Sequence, residues 1–195
     1  YLQNIDFLKR YADKVVICTS TFETKQFYSD LHAVCKQHGF KYVKAPVPVV
    51  KGSPVKNAYT IYAGVFADPS LLGVSDDTPC VLIDADTFAV KNVNNLIRTF
   101  QKHQLDIASL RCEVAHPTKV IEILQDFEYT LAMDNRRMDP WLTSGACNMA
   151  QAGVFRSIFA KHSRFFAGGD IEIGKLAQVM GYKLRHINFT FYTAV

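Results

Sequence analysis

What most restricts the fold of this chain is a repeated alternation of short apolar runs with segments of helical spacing. Val15-Val16-Ile17-Cys18 and Cys80-Val81-Leu82-Ile83 are runs of the kind that bury both faces in a parallel sheet. Each is followed by apolar residues at intervals of three and four: Phe27, Leu31 and Val34 with Cys35 after the first, and Val93, Leu96, Ile97 and Phe100 after the second. Gly39 closes the first helix and Asn92 caps the second. Residues 40–43 read as a further strand. Pro46, Pro48, Gly52 and Pro54 mark a loop, with Ser53 as N-cap and Pro54 as first residue of a helix through Phe66. Residues 106–110 read as a strand, and 119–133, 151–162 and 170–180 as helices, the last ended by Gly181. Residues 182–187 and 189–193 close the chain as two strands. The pattern predicts an α/β fold, a mostly parallel central sheet flanked by helices on both faces.

With 195 residues, no internal repeat and no linker, the chain reads as one domain spanning 1–195. Its 49% apolar and 21% charged residues exclude disorder, collagen and coiled coil. The formal charge of +4 includes no run of five Lys or Arg, so a nucleic-acid surface is excluded while a basic pocket for an anion is not. Five scattered cysteines without a Cys-x-x-Cys pair fit reduced thiols in a cytosol-facing domain, not a disulfide framework or a zinc site. Neither a membrane-length apolar stretch nor a signal peptide is present. The start at Tyr1 and the stop at Val195 directly after an extended segment read as a piece of a longer protein, truncated at both ends.

The chemistry concentrates in three places. Asp84-Ala85-Asp86 ends the second buried run. Ligands of open α/β sheets bind beyond the carboxyl ends of strands, and extended alternation sends both carboxylates to one side. Together they can hold a hard divalent cation, Mg²⁺ or Mn²⁺, with a diphosphate completing its shell; the plain alternative is a solvated acidic turn. Thr143-Ser144-Gly145-Ala146 is a small-residue stretch where backbone can approach a ligand, or a tight strand under a helix. Gly168-Gly169-Asp170 leads into a helix and puts Asp170 at or near its N-cap, as a cap or as a base for an incoming hydroxyl. A haloacid dehalogenase-type phosphatase also uses Asp-x-Asp after a strand. That motif needs Thr two places on, where Phe88 stands, Thr87 coming one place early.

In this order, the three features resemble family 2 glycosyltransferases, within them the processive, membrane-embedded cellulose, chitin and hyaluronan synthases. Gln125, Glu128-Tyr129 and the terminal Phe191-Tyr192-Thr193-Ala194-Val195 are similar to the same branch. The resemblance implies a GT-A fold and an inverting transfer from a nucleotide-diphosphate sugar, a UDP-sugar favoured, to a glycan or other hydroxyl acceptor. It implies that Asp84 contacts nucleotide and metal, that Asp86 ligates the metal, and that Asp170 is the general base. Ser144 and Gly145 would lie beneath the acceptor sugar, and Lys56-Asn57 beside the nucleotide. Where the family places an Asp pair after a strand, this chain has Thr19-Ser20-Thr21-Phe22-Glu23, so Thr19 and Glu23 are the candidates for gripping the donor. Gly169 stands where an acidic residue ordinarily precedes the base. These departures support the different-class alternative, a catalytically degenerate GT-A-like module that binds a nucleotide or a partner without transfer. The resemblance also implies the cytosolic face of a membrane, with membrane contact only through segments outside this chain, or the cytoplasm for a soluble parent.

Other residues have simpler readings. Trp141, near Ser144, is a candidate for stacking on an acceptor sugar, or else a core or rim aromatic. His116 and His162 read as surface or capping residues, Arg136 and Arg137 as a solvated pair, and Phe155, Phe159, Phe165 and Phe166 as core.

Overall fold

The computed structural model describes residues 4–164 and 168–193, less the side chains of Met133, Arg136 and Arg137; Phe165, Phe166, Ala194 and Val195 lie outside the described residues. A short helix α1 (Ile5–Lys9) and a 3₁₀ turn at Ala12–Lys14 lead into β1 (Val16–Ser20). In α2 (Lys25–His38) the Thr24 side chain accepts the Phe27 N–H at the start, and Gly39, at φ +73°, ends the helix in the left-handed conformation that glycine tolerates best. β2 (Lys41–Ala45) then runs parallel to β1.

The predicted helix at Ser53 is corrected. β3 (Val49–Val50) and β4 (Ser53–Pro54) form a minimal hairpin across Lys51-Gly52, both at positive φ as a type I′ turn requires. The helix α3 (Ala58–Ala67) starts after Asn57, where a capping box forms: Asn57 Oδ1 accepts the Thr60 N–H at 2.9 Å and Thr60 Oγ1 accepts the Asn57 N–H at 3.1 Å. Two reciprocal bonds satisfy more of the exposed helix start than a Ser-Pro step can, because proline brings no donor.

α4 (Pro69–Leu72), β5 (Pro79–Ile83), β6 (Thr87–Phe88), α5 (Val93–Lys102) and β7 (Ile107–Val114) follow. The rest of the chain is α6 (Val120–Met138), β8 (Cys147–Gln151), α7 (Ala152–Lys161), α8 (Gly169–Val179) and β9 (Leu184–Thr193). The larger sheet has the order β5-β8-β7-β9-β6. The α/β class holds, but the sheet is mixed where a mostly parallel one was expected: parallel pairing is confined to β1–β2 and β7–β9, and the other pairs of this sheet are antiparallel. A run buried on both faces is the same string whichever way its neighbour points, so burial pattern alone does not carry strand sense. The two predicted closing strands are one, β9, with a bulge at Asn188 and Phe189 where its register against β7 shifts.

Helices cover both faces. Phe7, Leu31, Leu96 and Phe100 from α1, α2 and α5 pack with Leu110, Met149 and Phe191, and Ile17 of β1 joins this core beside Val81 and Ile83 of β5. On the other face Phe66, Phe155, Phe159 and Ile173 from α3, α7 and α8 pack with Ile107 and Ala150, so Phe155 and Phe159 are core as predicted. All five cysteines are free thiols. No described helix is long and apolar enough to cross a membrane.

Candidate functional site

β5 delivers Asp84 to the sheet's carboxyl end, and the backbone turns there. The Asp84 N–H still reaches the Ala146 carbonyl of the partner strand's approach (3.3 Å), while the Asp84 carbonyl accepts the Thr87 N–H (3.1 Å). Buried Asn4 donates through its amide to the carbonyls of Thr87 (2.6 Å) and Asp84 (3.3 Å), fixing the turn from outside. The two carboxylates are neighbours because of this turn and not by extended alternation. Burial, and then the charge of Asp86, push the Asp84 carboxyl up to about 6. Among the described residues, no cation pairs with Asp84, Asp86 or Asp170.

Asp170 comes from the other half of the chain. Gly168, at φ +74°, is the N-cap of α8, so Asp170 lies within the first turn and not at the cap. Its carbonyl accepts the Thr143 hydroxyl, which ties α8 to the loop before β8. Two glycines permit the approach. A Cβ on Gly169 would stand 2.6 Å from the Tyr59 ring, and one on Gly174 would run into the Trp141 carbonyl. Gly145 opens the floor: a Cβ there would lie 3.9 Å from both Asp170 Oδ2 and the Tyr59 hydroxyl oxygen.

Tyr59 of α3 connects the two halves. Its hydroxyl is pushed up to about 12 by burial first, then by the charges of Asp170 and Asp84, against a hydrogen bond with the Asp170 backbone. One phenol therefore lies within electrostatic reach of carboxylates 86 positions apart in sequence. Tyr62, one turn on, is driven up by burial and by Asp84. Tyr129 of α6 is raised by burial, with Asp86 a smaller contributor, and takes a 3.3 Å hydrogen bond from the Gln125 amide. His162, the C-cap of α7, has a buried ring and not a surface one; it stacks on Tyr59 at 5.0 Å. Its Nε2–H donates to the Gly169 carbonyl (2.8 Å) and its Nδ1 accepts the Arg164 N–H (2.9 Å), so the ring holds both Tyr59 and the start of α8.

The remaining candidates divide. Glu23 accepts Ser20 Oγ at 2.5 Å and pairs with Lys56 Nζ at 3.1 Å, and the Ser20 bond ahead of Lys56 holds its carboxyl below the usual range. Thr19 lies on the opposite face of β1 from Ser20, buried, its hydroxyl 3.1 Å from that of Tyr42. Ser144 is buried with its carbonyl bonded to the Asn148 amide. Trp141 is half-buried with the Lys175 ammonium 4.0 Å from its ring centre, so one face of the indole is already taken.

No group of three or more His, Cys, Asp or Glu among the described residues is placed to hold a metal ion by itself. Asp84 and Asp86 fit part of a shell: two hard oxygen donors without a competing cation, of the type Mg²⁺ and Mn²⁺ take alongside substrate phosphates and water. No protein-family model and no curated protein matches the sequence. Among solved structures, the chain is similar to one described as a glucose-1-phosphate thymidylyltransferase from Bacillus anthracis, in complex with sucrose. The TM-score is 0.54 at 13% identity, covering 97% of this chain and 74% of that one. The likeness is one of fold alone, an α/β architecture shared across 97% of this chain. Asp84 and Asp86 stand just beyond the carboxyl end of β5, the kind of position at which open α/β sheets place ligands.

Sequence reasoning missed Tyr59, Tyr62 and the buried role of His162. The available signal was Tyr59-x-x-Tyr62, two phenols one turn apart directly after the capping Asn57, which reads as ordinary core spacing until the opposing carboxylates are placed.

Proposed function

We propose that this chain moves a sugar from a nucleotide-diphosphate donor, a UDP-sugar favoured, to the hydroxyl of a glycan or other acceptor. The observation that carries the reading is that Asp84, with Asp86 beside it, and Asp170 from the other half of the chain both act on Tyr59, with no cation among the described residues to neutralise them. Half-buried carboxylates without a neutralising partner are costly unless a ligand brings positive charge or protons to them. Asp84 and Asp86 would hold Mg²⁺ or Mn²⁺, which would offset the charge that grows on a departing diphosphate. Asp170, across the open floor at Gly145, accepts the proton of the acceptor hydroxyl, a contribution of ~10²–10⁴-fold. Tyr59, His162 and Thr143 hold Asp170 in place, and Glu23 with Lys56 forms a charged pair for the donor. Attack from the side opposite the diphosphate inverts the anomeric carbon and requires no covalent sugar–enzyme intermediate.

The fold's likeness to a thymidylyltransferase favours a second reading, in which a sugar 1-phosphate attacks a nucleoside triphosphate. The products separate the two. Incubation with UDP-sugars, Mn²⁺ and an acceptor releases UDP under the first reading. Incubation with sugar 1-phosphate and UTP or dTTP releases pyrophosphate under the second. Under the first, Asp170→Asn loses transfer yet keeps metal-dependent UDP binding in calorimetry, whereas Asp86→Asn loses binding. Binding that persists in wild type without either product identifies the non-transferring module.

A further inference from the structure

The helix α6 is inside out. Its inward face is polar and satisfied: Glu122 accepts the N–H groups of Thr118 (2.8 Å) and Lys119 (2.9 Å), Asp126 accepts that of Val114 (3.1 Å), and Gln125 donates to Tyr129. Its outward face carries Val120, Ile123, Leu124, Phe127, Leu131 and Met138, all more than half exposed, Phe127 at 63% and Val120 at 74%. Scattered surface apolar residues are normal, but a contiguous helical stripe of large ones marks an interaction site.

We infer that this stripe is a homodimer interface in which α6 packs antiparallel on α6 of a second copy. Three observations favour a second copy. Val120, Leu124, Phe127 and Leu131 follow the 4-3-4 spacing of a two-helix seam. The stripe is also complementary to itself: a two-fold axis between Gln125 and Asp126 lays Val120 over Leu131 and Leu124 over Phe127, and the reverse. The six side chains present on the order of 600 Å² per copy, most of the ~800 Å² each partner gives to a standard-size interface. A lipid surface fits poorly over the seam, because residues 120–134 carry four acids, Glu122, Asp126, Glu128 and Asp134, and no Lys or Arg, whereas membrane-lying helices carry Lys and Arg beside the apolar face. Pairing would also fix the helix that carries Tyr129, which feels the charge of Asp86.

Light scattering on the size-exclusion peak, at tens of micromolar chain, reads the result. The wild type elutes at twice the 22.0 kDa of the chain, and Leu124→Lys/Phe127→Lys at the single mass, with an unchanged circular dichroism spectrum because both positions face outward. A photo-crosslinking amino acid at position 124 of otherwise native chain gives a dimer band whose adducts map to residues near 127. A monomeric wild type overturns the inference, as do adducts outside α6, or a monomer that floats with phosphatidylcholine–phosphatidylserine vesicles.

Discussion

Replacing Asp84 by Asn tests whether the carboxylate cluster is a binding device maintained at the expense of stability. The Asp84 carboxyl, which ordinarily titrates at 3.8, titrates near 6 in the folded chain because burial and then Asp86 disfavour its charge. At ~1.4 kcal/mol per pH unit, ionising it costs the fold about 3 kcal/mol at neutral pH. The sign follows from the proton count. Below pH 3.8 the carboxyl is protonated in both states and contributes nothing. Between 3.8 and 6 the native state keeps a proton that the unfolded chain has lost, so stability falls as pH rises. Above 6 the full cost stands. In chelator, therefore, Asp84→Asn melts higher than wild type at pH 7, by on the order of 5–10 °C for a chain of this length, and the gap closes as pH falls below 4. Thermal melts by circular dichroism across pH 4–7.5 read both arms. Added Mn²⁺ raises the wild-type melting temperature and leaves the variant's unchanged. A variant less stable than wild type at pH 7, or a gap that does not change with pH, would refute the reasoning that Asp84 is ionised, half-buried and without a cation partner.

Two further outcomes follow from the packing. Gly169→Ala drives a Cβ into a Tyr59 ring that is stacked on His162, so denaturant titration shows a loss of ~1–3 kcal/mol, and the proposed transfer falls further than stability because Asp170 is displaced. Asn57→Ala removes a capping box and lowers stability by ~1 kcal/mol, whereas Ser53→Ala changes it by no more than a few tenths; equal effects would return the helix start to Ser53.

The sequence shows what local chemistry decides. Gly39 after α2, Asn92 before α5, and the end of β5 at Asp84 are legible because capping, left-handed glycine and a buried run are properties of neighbouring residues. Strand sense is not legible, since β8 would be the same apolar string paired either way with β5 and β7. Nor is direction around a helix: periodicity finds the stripe on α6, but not that the stripe faces outward while Gln125 and Tyr129 face in. The individual acids of the site are visible as motifs. Their meeting is not, because it depends on α3 carrying Tyr59 to a point between β5 and α8.

That meeting bears on the choice between a working transferase and a degenerate module. A module that only packs against a partner gains nothing from an ionised, half-buried Asp84, and neutral residues at 84, 86 and 170 would relieve it of about 3 kcal/mol at the first of these alone. Instead, the described groups around the acids are ones that cannot neutralise them. Tyr59 and Tyr62 remain protonated at neutral pH and offer O–H donors, not charge, and the one nearby imidazole commits both nitrogens to backbone at Gly169 and Arg164. Lysine, the residue that would cancel the charge, is spent elsewhere, Lys56 on Glu23 and Lys175 on Trp141. The arrangement therefore leaves a charge deficit of the kind that a divalent cation and an acceptor's proton fill. In a chain that retains Asp84 and Asp86, the deficit predicts donor binding that rises steeply with pH from 5 to 7, as Asp84 loses to solvent the proton that competes with a cation for its carboxylate. Calorimetry of UDP with Mn²⁺ at fixed ionic strength measures it, and affinity independent of pH over that range would place the nucleotide away from the Asp84–Asp86 turn.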